Sequence, residues 1–240
     1  MLHFFRRIRQ GLLIKGKTRT YFWYAFGEML LVILGILIAL QIDNWNDQQQ
    51  LIRSEKVLYE NIIRDLKEDQ AQLAYHMEVN NSLINIFTKL YERMSGKTDS
   101  LRLDQPILLI QSFNYSSVVV DNHRNDVDQI LDEQIRYWLN NYFSTTNELQ
   151  IRKKEEVEEV KVTRRPFFVD EEILSLDAVF KQGSPQDIIN LQMLEQKLEH
   201  KTLRKIMMTG QGSNQIIKSF TDQLLQDNRR LVALLERKLE

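Results

Sequence analysis

The 240 residues carry 32 Lys and Arg against 33 Asp and Glu, with no cysteine, which excludes disulfides, thiolate metal sites, cysteine nucleophiles and a lipidated-cysteine anchor. The charge is unevenly spread: residues 1–42 hold six basic side chains and one acid, leaving 26 basic and 32 acidic residues beyond them. An acidic remainder argues against nucleic acid as a partner, because phosphate binding needs clustered positive charge.

Residues 1–20 place Leu2, Phe5, Ile8 and Leu12 at helical spacing with Arg6, Arg7 and Arg9 between them. Two readings stand: a basic amphipathic segment lying on an anionic membrane surface, or a plain positive flank. Residues 21–42, YFWYAFGEMLLVILGILIALQI, follow, with no polar side chain from Met29 to Leu40. As a helix they would be about 33 Å long, enough for a hydrocarbon core of about 30 Å, which predicts a transmembrane helix. The apolar region is longer than a cleavable signal core, and Ala39-Leu40-Gln41-Ile42 is a poor cleavage site. Positive charge precedes the span, so the N-terminus is expected in the cytoplasm and residues 43–240 outside it, in the periplasm of an inner membrane.

Glu28, Gly35 and Ala39 fall on one side of the helical wheel, and Gly35-xxx-Ala39 is a small-xxx-small pattern. This face is a candidate helix–helix interface in the membrane. The alternative is that Glu28 reaches headgroup water and Gly35 is incidental.

The stretches FFRRIRQGLL (residues 4–13) and YAFGEMLLVILGILIALQIDNWND (residues 24–47) resemble the N-terminal signature of an uncharacterised bacterial family of single-pass membrane proteins, a domain of unknown function. The usual family pattern after the span is Ile-Asn-Asn-Trp-Asn; here Asp43 stands at the second position. The resemblance implies an anchored envelope protein of a Gram-negative-type bacterium. It implies no reaction or ligand.

From Trp45 to Met94 a heptad seam is predicted through Ile52, Lys56, Tyr59, Ile63, Leu66, Gln70, Leu73, Met77, Asn80, Ile84, Phe87, Tyr91 and Met94, on one long helix continuing from the span. Ser95-Gly96 ends it. Gly96-Lys97-Thr98 is part of a P-loop pattern, but the required earlier glycine is replaced by Tyr91. Pro106 suits a short helix start, Tyr115–Val120 an extended connector, and residues 122–164 a third helix stopped by Pro166. Its charge run, Arg152 to Glu159, reads as a solvated face. Ser184-Pro185 starts further helix, and Leu203, Ile206, Ile217, Phe220, Leu224, Leu231 and Leu234 share a stripe with Gly210 and Ser213. Gly210 marks either tight packing or a local break. The expected fold is all-α: one N-terminal transmembrane helix continuing into an elongated antiparallel helical bundle. The domains are 1–20 (cytoplasmic or interfacial), 21–42 (span) and 43–240 (periplasmic bundle).

His-Glu-x-x-His and di-iron spacings are missing around His3, His76, His123 and His200, so no catalytic, cofactor or metal residue is assigned and no cofactor is expected. The polar cluster worth naming is Asp121, His123, Arg124 and Asp126, able to hold an anion or metal at a helix start, with capping by Asn122 or Asn125 as the plainer reading. The expected partners are membrane lipid and a second copy or another membrane protein. The expected role is a structural and interaction module, not an enzyme. The alternatives are a ligand sensor or an accessory subunit of an inner-membrane complex. With only about 20 residues on the cytoplasmic side, signalling output would need a partner.

Overall fold

The computed structural model describes residues 18–180 and 184–240, so the basic segment before Thr18 lies outside the described residues. The described chain is all-α, with no β-strand and only a single antiparallel bridge, Leu174 to Ile189. It divides into two units, Met1–Lys56 and Val57–Glu240.

Helix α1, Thr18–Met94, runs 77 residues without a proline. Gly96 terminates it in the left-handed region, φ 73°, where a side chain would be strained. Lys97 N–H donates to Glu92 O at 2.9 Å and Gly96 N–H to Arg93 O at 3.2 Å, satisfying the last carbonyls in a Schellman motif. In the first unit the apolar side chains of α1 from Phe26 to Trp45 are exposed all round. In the second unit one face of α1, beginning at Tyr59, is buried.

That second unit is a bundle of α1, α3 (Glu133–Glu159) and α7 (Lys201–Leu239). Helix α7 runs antiparallel to α1, since Asn228 meets Leu66 and Asn214 meets Asn80. Helix α3 runs parallel to α1, with Tyr142 against Asp69 and, beyond its end, Arg164 over Phe87. The chain returns between them through residues 95–132, which hold a 3-10 turn at Pro106–Leu109, helix α2 at Val118–His123 and a second 3-10 turn at Val127–Gln129. Two apolar clusters fill the bundle. One joins Tyr59–Leu73 to Leu139, Leu224 and Leu231; the other joins Val79–Leu90 to Phe168, Leu203 and Ile206.

The seam on α1 differs from the expected one by one residue in most of its second steps, Ile63 being buried as expected beside Ile62. Tyr59, Leu66, Leu73, Asn80 and Phe87 are buried as expected. The alternating positions are Ile62, Asp69, His76, Leu83 and Leu90, whereas Gln70, Met77 and Ile84 are only half-buried and Tyr91, Ile52 and Lys56 are exposed. Asp69 and His76 look like surface residues, so hydrophobic patterning rotates the helix away from its true inner face. On α7 the buried heptad pairs Leu203, Gly210, Ile217, Leu224 and Leu231 with Met207, Asn214, Thr221, Asn228 and Leu235. Phe220, Leu234 and Ser213 sit at its edge.

Other boundaries also move. The expected helix over 122–164 is interrupted: α2 starts at Val118, capped by Ser117 Oγ accepting from Val120 N–H, and α3 restarts after Asp132, which accepts from Gln134 and Ile135 N–H. Tyr115–Val120 is therefore extended only as far as Ser117. Pro166 does not stop the third helix. A π-turn at Val160–Arg164, in which Arg165 N–H reaches back to Val160 O, absorbs its missing donor, and α4 continues over Arg165–Asp170. Glu172 at φ 55° ends that run. Helix α5 (Leu176–Phe180), a 3-10 turn at Pro185–Ile188 and α6 (Leu191–Gln196) lead into α7.

Gly210 is a packing position. A Cβ there would lie 2.5 Å from Phe87 Cζ and 2.8 Å from Cε2, so the missing side chain lets the Phe87 ring sit against the α7 backbone.

Candidate functional site

Several polar side chains are buried inside the bundle, among the residues of its apolar clusters. Asp69 on α1 is fully buried and collects donors from three directions. Tyr142 OH on α3 donates to Oδ2 at 2.9 Å, Val118 N–H donates to Oδ1 at 2.6 Å, and Ser117 Oγ donates to Oδ2. Asn228 on α7 completes the layer, donating to Leu66 O at 2.8 Å and lying 3.5 Å from the Tyr142 hydroxyl. Burial pushes the Asp69 carboxyl above the usual carboxylate range even against these donors. Burial, together with the neighbouring Asp69 charge, also pushes the Tyr142 and Tyr115 hydroxyls up, so both remain neutral. The Tyr115 hydroxyl lies beside Tyr142 and Ser117 without a hydrogen bond of normal geometry.

One turn before Asp69, Asp65 is also buried. His123 Nε2 lies 2.9 Å from its Oδ2, Asn122 Nδ2 donates to the same oxygen at 2.8 Å, and Arg64 Nε donates to Oδ1 at 3.0 Å. Burial acts to raise the Asp65 carboxyl, but the hydrogen bonds from Asn122, Arg64 and His123 outweigh it and hold it below the usual range. The other ring nitrogen, His123 Nδ1, is 3.1 Å from Asp126 Oδ2. The imidazole thus bridges α1 to the residues after α2.

Of the sequence-derived cluster, His123 and Asp126 are brought together. Asp121 turns outward to accept from Ser116 Oγ at 2.7 Å, and Arg124 is exposed. Asn122 and Asn125 cap neither helix; Ser117 and Asp132 do. The partner that organises the cluster is Asp65, distant in sequence and on the far flank of a charged stretch. Among the described residues no group of three His, Cys, Asp or Glu side chains is placed to hold a metal ion. In the first unit Gly35 and Ala39 are exposed, Glu28 is half-buried, and a Cβ at Gly35 would meet nothing within 4 Å.

A second polar layer lies two turns further along α1. His76 stacks edge-on against Tyr115 with ring centroids 5.5 Å apart, and its Nδ1 has no partner. Burial, helped by the Lys153 cation, pushes it down to about 4. The Arg152–Glu159 run is a solvated face only in part: Lys154, Glu155 and Glu158 are exposed, whereas Lys153 and Glu156 are buried and pair at 2.6 Å. Glu159 lies 2.5 Å from Arg164 Nε, and burial raises its carboxyl. The Arg164 guanidinium, buried, lies 5.4 Å from the centroid of the Phe87 ring. Asn80 Nδ2 donates to Asn214 O and Asn214 Nδ2 to Gly210 O, both at 2.7 Å, tying α1 to α7.

Chemically, these groups hold one another. The carboxylates accept from fixed interior donors, so the geometry sets helix register and docks the 95–132 segment onto α1.

Residues 28–118 match a family of unknown function, DUF6090. The matched stretch contains Asp65, Asp69, His76 and Ser117, and ends before His123, Tyr142 and Asn228; the FFRRIRQGLL segment also lies outside it. No curated protein and no solved structure matches the chain.

Proposed function

We propose that residues 21–42 anchor this chain in a membrane and that the bundle serves as a structural and interaction module on its extracytoplasmic side, without enzymatic activity. The observation that supports the anchor is exposure. The helix is long and apolar enough to cross a bilayer, and none of its most apolar window is buried against the protein. An apolar core helix of a water-soluble fold would be covered, and an uncovered surface of this size in water is an aggregation liability. The cluster of Lys and Arg before residue 21 supports a cytoplasmic N-terminus in an inner membrane. The interaction role is supported by the interior carboxylates being committed to fixed donors and by the small-xxx-small spacing of Gly35 and Ala39 on the anchor.

The test is a pair of C-terminal fusions, alkaline phosphatase and a fluorescent protein that matures only in the cytosol, with N-terminal sequencing of the membrane fraction. Phosphatase activity, a dark fluorescent fusion and an intact N-terminus are expected. Cytosolic fluorescence, or a mature chain that begins beyond Leu40, overturns the proposal. Crosslinking from Gly35 is expected to capture a protein, either a second copy or another membrane protein. Recovery of lipid adducts alone removes the interaction role.

A further inference from the structure

On the bundle surface, α1 and α7 part to leave a trough of about 590 Å³, within the size range of small-ligand sites. Its floor is Phe87 and Met207, both buried, and its rims are Tyr91 and Met208. Met208 is 78 % exposed, which the packing of the bundle does not explain. The floor is rigid, since Phe87 is clamped between Gly210 and the Arg164 guanidinium. The methionines are adaptable, polarisable walls suited to an alkyl chain of no fixed shape.

Polarity is confined to particular places. Thr88 spends its hydroxyl hydrogen on Ile84 O at 2.8 Å. Two cations stand near the end of the trough where α1 stops: Arg204 lines it, and the exposed Lys97 holds its ammonium 5.7 Å from the centroid of the Tyr91 ring. Arg204 pairs with Glu199, and both side chains are more than half exposed, so the pair exchanges readily with another anion. From Arg204 to Gln211 the α7 wall is about 10 Å long, two helical turns.

We propose that this trough binds a single-chain fatty carboxylate, its alkyl chain over Phe87 and Met207 and its head group between Arg204 and Lys97. The proposal draws on the trough alone and does not require residues 21–42 to cross a membrane.

The test uses the full chain in phosphatidylcholine nanodiscs, photolabelled with a diazirine analogue of palmitate and mapped by peptide mass spectrometry. Adducts are expected on Tyr91, Met94, Met207 or Met208, and excess unlabelled palmitate is expected to suppress them. Reversing both cations, Arg204→Glu with Lys97→Glu, is expected to weaken labelling about tenfold, the equivalent of losing about 1.4 kcal/mol. Met208→Trp, at an exposed rim position, is expected to block the trough while circular dichroism stays unchanged. Label confined to residues 21–42, label that palmitate does not compete away, equal labelling by a diazirine fatty alcohol, or capture of a polypeptide at Met208 would each overturn the proposal.

Discussion

The Tyr142 hydroxyl on α3 donates to Oδ2 of Asp69 on α1 at 2.9 Å, joining two residues 73 positions apart inside the apolar body of the bundle. Tyr142→Phe keeps the ring and removes this donor. Urea unfolding is expected to show a loss of about 1–3 kcal/mol, the range for leaving a buried charged group short of a partner. The Asp69 carboxyl already titrates above its ordinary value, so the native state holds its proton more readily than the unfolded chain. Its contribution to stability therefore falls as pH rises through the folded value, and the variant is expected to lose most at neutral pH and least near pH 3. An equal loss at both pH values would contradict this.

His76 has the opposite acid response. Buried and neutral, it is pushed from 6.5 down to about 4, so its contribution is complete above 6.5 and is lost as pH falls toward 4. Between pH 7 and pH 5 that loss is about 2 kcal/mol. His76→Leu is expected to remove this limb, leaving denaturant midpoints at pH 7 and pH 5 closer together than those of the native protein.

Two glycines on the same helix separate packing from propensity. At Gly210 a Cβ would lie 2.5 Å from Phe87 Cζ, whereas at Gly212 it would meet nothing within 4 Å. Gly212→Ala is expected to stabilise the protein by up to about 1 kcal/mol. Gly210→Ala is expected to destabilise it by about 1–3 kcal/mol despite the same gain in helix propensity, because Phe87 and the Arg164 beside it must move. Thermal melts of the two variants read the difference directly.

The Asp65 and His123 pair closes the return segment onto α1. A double-mutant cycle with Asp65→Ala and His123→Ala is expected to give a coupling of about 1–3 kcal/mol. Amide exchange in residues 118–126 should accelerate in either single variant while Ile217 and Leu224 stay protected. The Asp65 carboxyl is held below its ordinary value, so its contribution is present above 3.8 and is lost as pH falls below it. Acid should therefore loosen this segment in the same way as the mutations.

Much of the architecture is legible in the residue order because it is local. The apolar run to Ile42, the absence of proline up to Met94, the turn at Gly96 and the stripe Leu203–Leu231 each follow from helix periodicity and chain breakers. The errors fall where a local rule meets a distant partner. Asp69 and His76 violate the apolar pattern: donors from α2, α3 and the chain before them permit the burial of Asp69, whereas His76 goes inside as a neutral ring against Tyr115. Pro166 reads as a stop, yet a π-turn carries the helix past it. Glu156 and Glu159 read as solvated, yet Lys153 and Arg164 accompany them inside.

The amino-acid order by itself settled that the chain is helical, where its longest apolar face begins and ends, and how its charge divides about that face, because helix formation and hydrophobicity act over a few turns. Which polar groups go inside was decided by the tertiary structure alone. Burying a carboxylate is unfavourable until several donors converge on it, and those donors come from segments that only the folded bundle brings within hydrogen-bond reach.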